Sequence, residues 1–213
     1  MRGRARARLG QRALGISAHT TVIVLGDGML SGRARWFLRY HGHVDTRLAD
    51  GGFAAYLAAG GPVSTDAVSV PPGDFTPRVE ASLICRADEL RSEIGADTKL
   101  LDVRSDAEWQ GSNTFDHMRV GHIPGATHVV WSEMLAPQEP YLFRTPDEIR
   151  ALLGQKGIAP NDRVVTVCAV GWRAAHSAFA LRLAGFTDIR VYDASMREWD
   201  DREDLPLDPP AAQ

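Results

Sequence analysis

The stretch VVTVCAVGWRAAHSAFALRLAGF, residues 164–186, decides the fold. Its opening VVTV is apolar and mostly β-branched, which predicts a buried strand. From Ala174 onward Ala178, Leu181 and Ala184 fall at helical spacing. Between the two lie six residues, CAVGWR, beginning with Cys168. A thiol there faces unpaired backbone N–H groups and the positive end of a helix dipole. That setting favours the thiolate, which is the nucleophilic form.

Composition narrows the classes. The chain of 213 residues carries a net charge of -3, whereas a nucleic-acid binder shows a basic face. Two cysteines cannot build a disulfide framework or a zinc cluster, so a reducing, cytoplasmic setting is the expectation. No apolar run approaches the roughly 20 residues of a membrane helix. Residues 1–18 are rich in Arg and free of acids. They are expected to be disordered, and their composition is also that of an organelle transit peptide.

Working outward in both directions gives alternating elements. Residues 22–25 (VIVL) predict a strand, GDGMLSG a turn-rich link, residues 33–40 a helix, VDTRLAD a strand and FAAYLAAGG a helix opened by Gly51 and Gly52. Residues 62–79 carry four prolines and read as an extended linker. After it come a helix over 86–94, where Cys85 marks the start, and a strand KLLDV. Ser105 to Glu108 has the form of a capping box. HIPGATHVVW predicts a turn and strand, Thr145 caps PDEIRALLGQKG, IRVYD is a last strand and SMREW a short final turn. Strands alternating with helices imply an α/β fold, a parallel sheet flanked by helices on both faces.

The halves also repeat. At an offset of 143, Gly28, Leu38, Arg39, Gly42, Asp45, Arg47 and Asp50 fall on Gly171, Leu181, Arg182, Gly185, Asp188, Arg190 and Asp193. The strand-loop-helix-strand unit therefore occurs twice. Cys168 corresponds to Leu25 or Gly26 in the first copy, neither of which is a nucleophile.

LLDVRSDAEW, RVGHIPGATHVVW, VVTVCAVGWRA and GFTDIRVYDASMREW together resemble the two-domain rhodaneses, the thiosulfate and mercaptopyruvate sulfurtransferases. The resemblance spans about residues 19–206. It implies a catalytic rhodanese-like domain over 81–207, a partial inactive copy over 19–62, a linker over 63–80 and a tail over 208–213. Nothing before His19 resembles the DVR strand or GHIPGA turn of a whole first domain, so its half-sheet is expected to be incomplete, with exposed edges. Ala194 and Met196 stand where the family commonly has Gly and Trp.

Charge chemistry assigns roles within that frame. Sulfur transfer needs a nucleophile that holds a persulfide, and Cys168 is the residue placed for it. Backbone N–H groups of Ala169, Val170, Gly171 and Trp172 would curve around the sulfur as a nest. Gly171 permits the turn, and Arg173 adds a cation at the helix start, where it is expected to help bind the anionic donor. By resemblance, Arg119 grips the anionic end of the donor. Asp102 is expected to order the neighbouring loop and Arg104 to pair with Glu108, both as supports. His176 reads as a helix-surface residue, and Trp172 as shaping the pocket mouth or packing. His117, His122 and His128 lack metal-ligand spacing, so neither metal nor cofactor is expected.

The resulting expectation is a thiosulfate sulfurtransferase. It would move sulfur from a small anionic donor to cyanide or a thiol, with no nucleic-acid or membrane partner. A 3-mercaptopyruvate enzyme and a non-catalytic rhodanese-like binding module are the alternatives. Tyrosine-phosphatase loops place five residues between Cys and Arg; here four intervene, a ring suited to one sulfur atom.

Overall fold

The structure is a computed structural model and describes residues 12–26, 28–114 and 119–210. Five parallel strands form the main sheet in the order β3 (Ile84–Cys85), β7 (Ile189–Tyr192), β6 (Val164–Val167), β4 (Lys99–Asp102), β5 (Ala126–His128). β6 is central, and its register sets Asp102 opposite Val167, one residue before Cys168. A second, two-stranded parallel sheet joins β1 (Val22–Val24) to β2 (Thr46–Leu48).

Side chains alternate across the pleat, so each strand feeds two cores. Leu101, Val164, Ile189 and Val191 pack on one side against helices α5 (Pro146–Gly154) and α6 (Trp172–Leu183), together with Trp36 of α1 (Gly28–Tyr40). Leu100, Val165, Val167 and Tyr192 pack on the other against Leu90 of α3 (Ala87–Glu93) and Met196 and Trp199 of α7 (Ser195–Asp201). With helices on both faces, the parallel sheet is buried as anticipated. Among the described residues two more helices are α2 (Gly52–Ala58) and the single turn α4 (Asp106–Trp109). No helix among the described residues is long and apolar enough to cross a membrane.

α1 and α6 pack backbone to backbone. A Cβ on Gly32 would lie 2.5 Å from the Cα of His176. Gly28 and Gly171 both take positive φ, 43° and 85°, where these helices begin, and Gly42 and Gly185 both take 89° beyond their ends. Residues 62–80, read from sequence as a linker, carry no regular elements.

Several predicted boundaries move. α1 begins at Gly28 rather than Arg33, because Gly32, which read as part of a link, lies where the helix meets α6. SMREW is the first part of a seven-residue helix. Cys85 ends an edge strand instead of starting a helix; it is 1% exposed, and burial pushes its thiol up to about 12. Within the Arg-rich arm, residues 1–11 lie outside the described residues. Ile16 is buried against Leu38 and Phe75, and Arg12 donates to the carbonyl of Asp74 at 3.2 Å, so the expected disorder does not extend over 12–18.

Candidate functional site

β6 ends at Val167 and α6 starts at Trp172, so the loop between them carries the thiol to the helix's unpaired N–H end. The main-chain N–H of Gly171 donates to the Cys168 Sγ at 3.1 Å. Gly171 is required twice over: its φ is +85°, and a Cβ there would lie 2.2 Å from the Asp193 carbonyl oxygen.

α7 straps this loop from behind. The N–H groups of Met196 and Arg197 donate to the carbonyls of Cys168 and Ala169, both at 3.0 Å. The Cys168 N–H donates to Ser195 Oγ at 3.2 Å, while that hydroxyl donates to the Tyr192 carbonyl at 2.8 Å and lies 4.0 Å from Sγ. Ser195 holds a left-handed φ of 57° to make these contacts. Cys168 itself has no exposed surface. In front of the loop lies a depression of about 970 Å³ lined by Val170, Trp172, Arg173, Arg33, Asp193 and Arg197, among others. Trp172 is 45% exposed on its wall.

Arg173 closes the loop as a bidentate partner of Glu108, at 2.5 and 2.7 Å. Burial opposes its charge, but Glu108 and the Cys168 sulfur outweigh burial and raise its pKa. Burial would likewise raise the Glu108 carboxyl, yet hydrogen bonds from Arg173 and Ser105 hold it at about 2. The predicted capping box supplies the second of these, with the Ser105 hydroxyl 2.7 Å from Glu108. A further guanidinium comes from the first unit: Arg33 of α1 forms an ion pair with Asp193 across the mouth. Burial lowers the Arg33 pKa, and the Cys168 sulfur acts against that.

Two predicted roles are corrected. Arg119 does not line the depression. Its guanidinium donates to the carbonyls of Trp199 (2.7 Å), Arg202 (2.9 Å), Asp200 (3.0 Å) and Leu205 (3.0 Å). These include the unpaired carbonyls at the end of α7, which attract a cation. Arg104 pairs with Asp102 rather than Glu108, its Nη2 2.7 Å from Oδ2, while a second contact reaches the Gly121 carbonyl at 3.0 Å. Glu108 is already filled by Arg173 and Ser105. Asp102 accepts the Arg104 N–H at 3.0 Å, and both residues are buried below the loop end.

The histidines also move. His176 is 1% exposed rather than on the surface, stacked on Phe143 with ring centroids 4.8 Å apart. His122 and His128 stack on Trp109. His117 lies outside the described residues, and among those described no cluster of three or more His, Cys, Asp or Glu could hold a metal.

Ser195 and Arg33 had no role read from sequence, Asp193 was marked only as a repeat position, and Glu108 was assigned to Arg104 instead of Arg173. The DASMREW segment contains Ser195, and the capping box marked Glu108 as a helix start.

Comparison with known proteins places this geometry. The profile of the rhodanese-like domain matches residues 86–202. The sulfur carrier protein TtuD of Thermus thermophilus is 35% identical, the match covering 94% of this chain and 75% of that protein. The 3-mercaptopyruvate sulfurtransferase of Mus musculus is 30% identical over 88% of this chain and 65% of its own length. SseA of Mycobacterium tuberculosis, provisionally named a thiosulfate sulfurtransferase, is 33% identical over 91% and 67%. Among solved structures, wild-type EanB superposes with a TM-score of 0.84 at 23% identity, covering 96% of this chain and 54% of EanB, which supports the fold. The chain thus spans about two thirds of the mouse protein and about half of EanB. On its profile match and its identity to these relatives, the chain belongs to the rhodanese family.

Proposed function

We propose that the protein is a sulfurtransferase in which Cys168 takes the sulfane sulfur of thiosulfate as a persulfide and hands it to cyanide or a cellular thiol. The observation that carries this reading is the Gly171 N–H aimed at Sγ from 3.1 Å, at the amino end of α6. A donor dipole there stabilises a sulfur anion before and after transfer.

The Cys168 thiolate attacks the outer sulfur of thiosulfate. A sulfur–sulfur bond to Cys168 forms as the donor's own breaks, and sulfite leaves with that electron pair. The persulfide anion stays under the loop amides until cyanide attacks its terminal sulfur, releasing thiocyanate and restoring the thiolate. Sγ is enclosed, so the donor reaches it through the loop wall formed by Val170 and Trp172. Glu108 holds Arg173 beside the loop, and Ser195 fixes the Cys168 main chain.

The same reading assigns residues 81–207 as the catalytic unit, 63–80 as the linker and 19–62 as a partial, non-reacting copy. Both cysteines are free, which suits a reducing cytoplasm. The name of the mouse relative favours a second donor, 3-mercaptopyruvate. Comparing kcat/KM for the two donors decides between them. Cys168→Ser abolishes thiocyanate formation; turnover at the wild-type rate in that variant contradicts the proposal.

A further inference from the structure

We propose that Arg197 grips the anionic oxygens of the sulfur donor, an assignment that rests on the sulfur-transfer reading above. Four arginines line the depression in front of the loop: Arg33, Arg173, Arg197 and Arg202. Three are committed to carboxylates. Arg33 pairs with Asp193, Arg173 binds Glu108 through two hydrogen bonds, and Arg202 reaches Asp88 at 2.7 Å and Asp204 at 2.8 Å. Each of those charges is cancelled where it stands.

Arg197 differs. Its side chain is exposed and makes no hydrogen bond or ion pair among the described residues. Its backbone is nevertheless fixed against the reactive loop, because its N–H donates to the Ala169 carbonyl at 3.0 Å. The adjacent Met196 N–H binds the Cys168 carbonyl at the same distance. The guanidinium thus swings from an anchor one hydrogen bond away from the loop. Glu198 and Asp201 line the same wall, and the Glu198 carboxylate accepts the Tyr192 hydroxyl at 2.9 Å. Arg119, the sequence-based candidate for this task, is held by carbonyls at the far end of α7.

A forked guanidinium suits the oxygens of a sulfonate-like group or a carboxylate equally. Thiosulfate and 3-mercaptopyruvate both carry such an end, so both serve as probes. Arg197→Ala raises KM about tenfold with kcat within about twofold, the size of a charge-assisted hydrogen bond. Arg197→Lys recovers part of the loss. Added salt narrows the gap between wild type and the alanine variant, since an exposed charge is screened.

Methyl methanethiosulfonate provides the uncharged control. The thiolate attacks its methylthio sulfur, methanesulfinate leaves, and Cys168 gains a methyl disulfide. That rate is equal in wild type and Arg197→Ala when nucleophile and fold are intact. A KM shift with either donor supports the assignment and identifies the anion gripped. An unchanged KM for both donors overturns it. A wild type that turns over neither donor overturns the sulfur-transfer reading, and this assignment with it.

Discussion

Glu108 shows how a single residue sets the state of the reactive loop. Its carboxyl, held at about 2 against an ordinary 4.5, gives stability that is fully present above pH 4.5 and is lost as pH falls through about 2. Glu108→Gln removes the charge that balances the buried Arg173, at a cost of about 3 kcal/mol near neutral pH. Urea denaturation across pH checks this: the gap between wild type and variant closes toward pH 2, and a constant gap contradicts it. The positions of Cys168, Gly171 and Arg173 were legible because they follow from adjacency within one loop, whereas the pairing of Arg173 with Glu108, in place of a donor contact, was not. Arg33 and Asp193 were not, since they meet across 160 positions of sequence. The misassignment of Arg119 has a similar cause: the carbonyls it satisfies belong to a helix end some 80 residues further on.

Among the elements, the contact of α1 with α6 joins the two units. Alanine in a helix interior gains about 1 kcal/mol over glycine. At Gly32 the added Cβ would meet the His176 backbone at 2.5 and 3.1 Å, and overpacking against main chain costs about 1–3 kcal/mol. The clash wins because backbone cannot swing aside, so Gly32→Ala lowers the denaturation midpoint; a raised midpoint would show that the helices separate freely. β6 and β7 were readable from their β-branched residues, and β4 from its paired leucines. The start of α1 was not, because close helix packing, invisible in the sequence, puts glycine inside a helix. β3 escaped notice for a different reason: two residues give no period to read.

Across the whole molecule, His176 keeps a buried, uncharged ring inside the main core. It lies on α6 against Phe143 and Trp131, and burial lowers its pKa to about 4. The unfolded chain takes up a proton at the ordinary 6.5, so stability falls as pH drops from 6.5 toward 4, by about 3 kcal/mol in all. His176→Phe flattens that slope in a pH series of denaturation curves; an unchanged slope assigns it to other groups. The sulfur chemistry proposed for Cys168 is read most directly by intact-protein mass after exposure to thiosulfate. A gain of about 32 Da on Cys168, removed by cyanide, is the predicted result. A wild-type mass that stays unchanged, or a gain that persists in Cys168→Ser, contradicts the account.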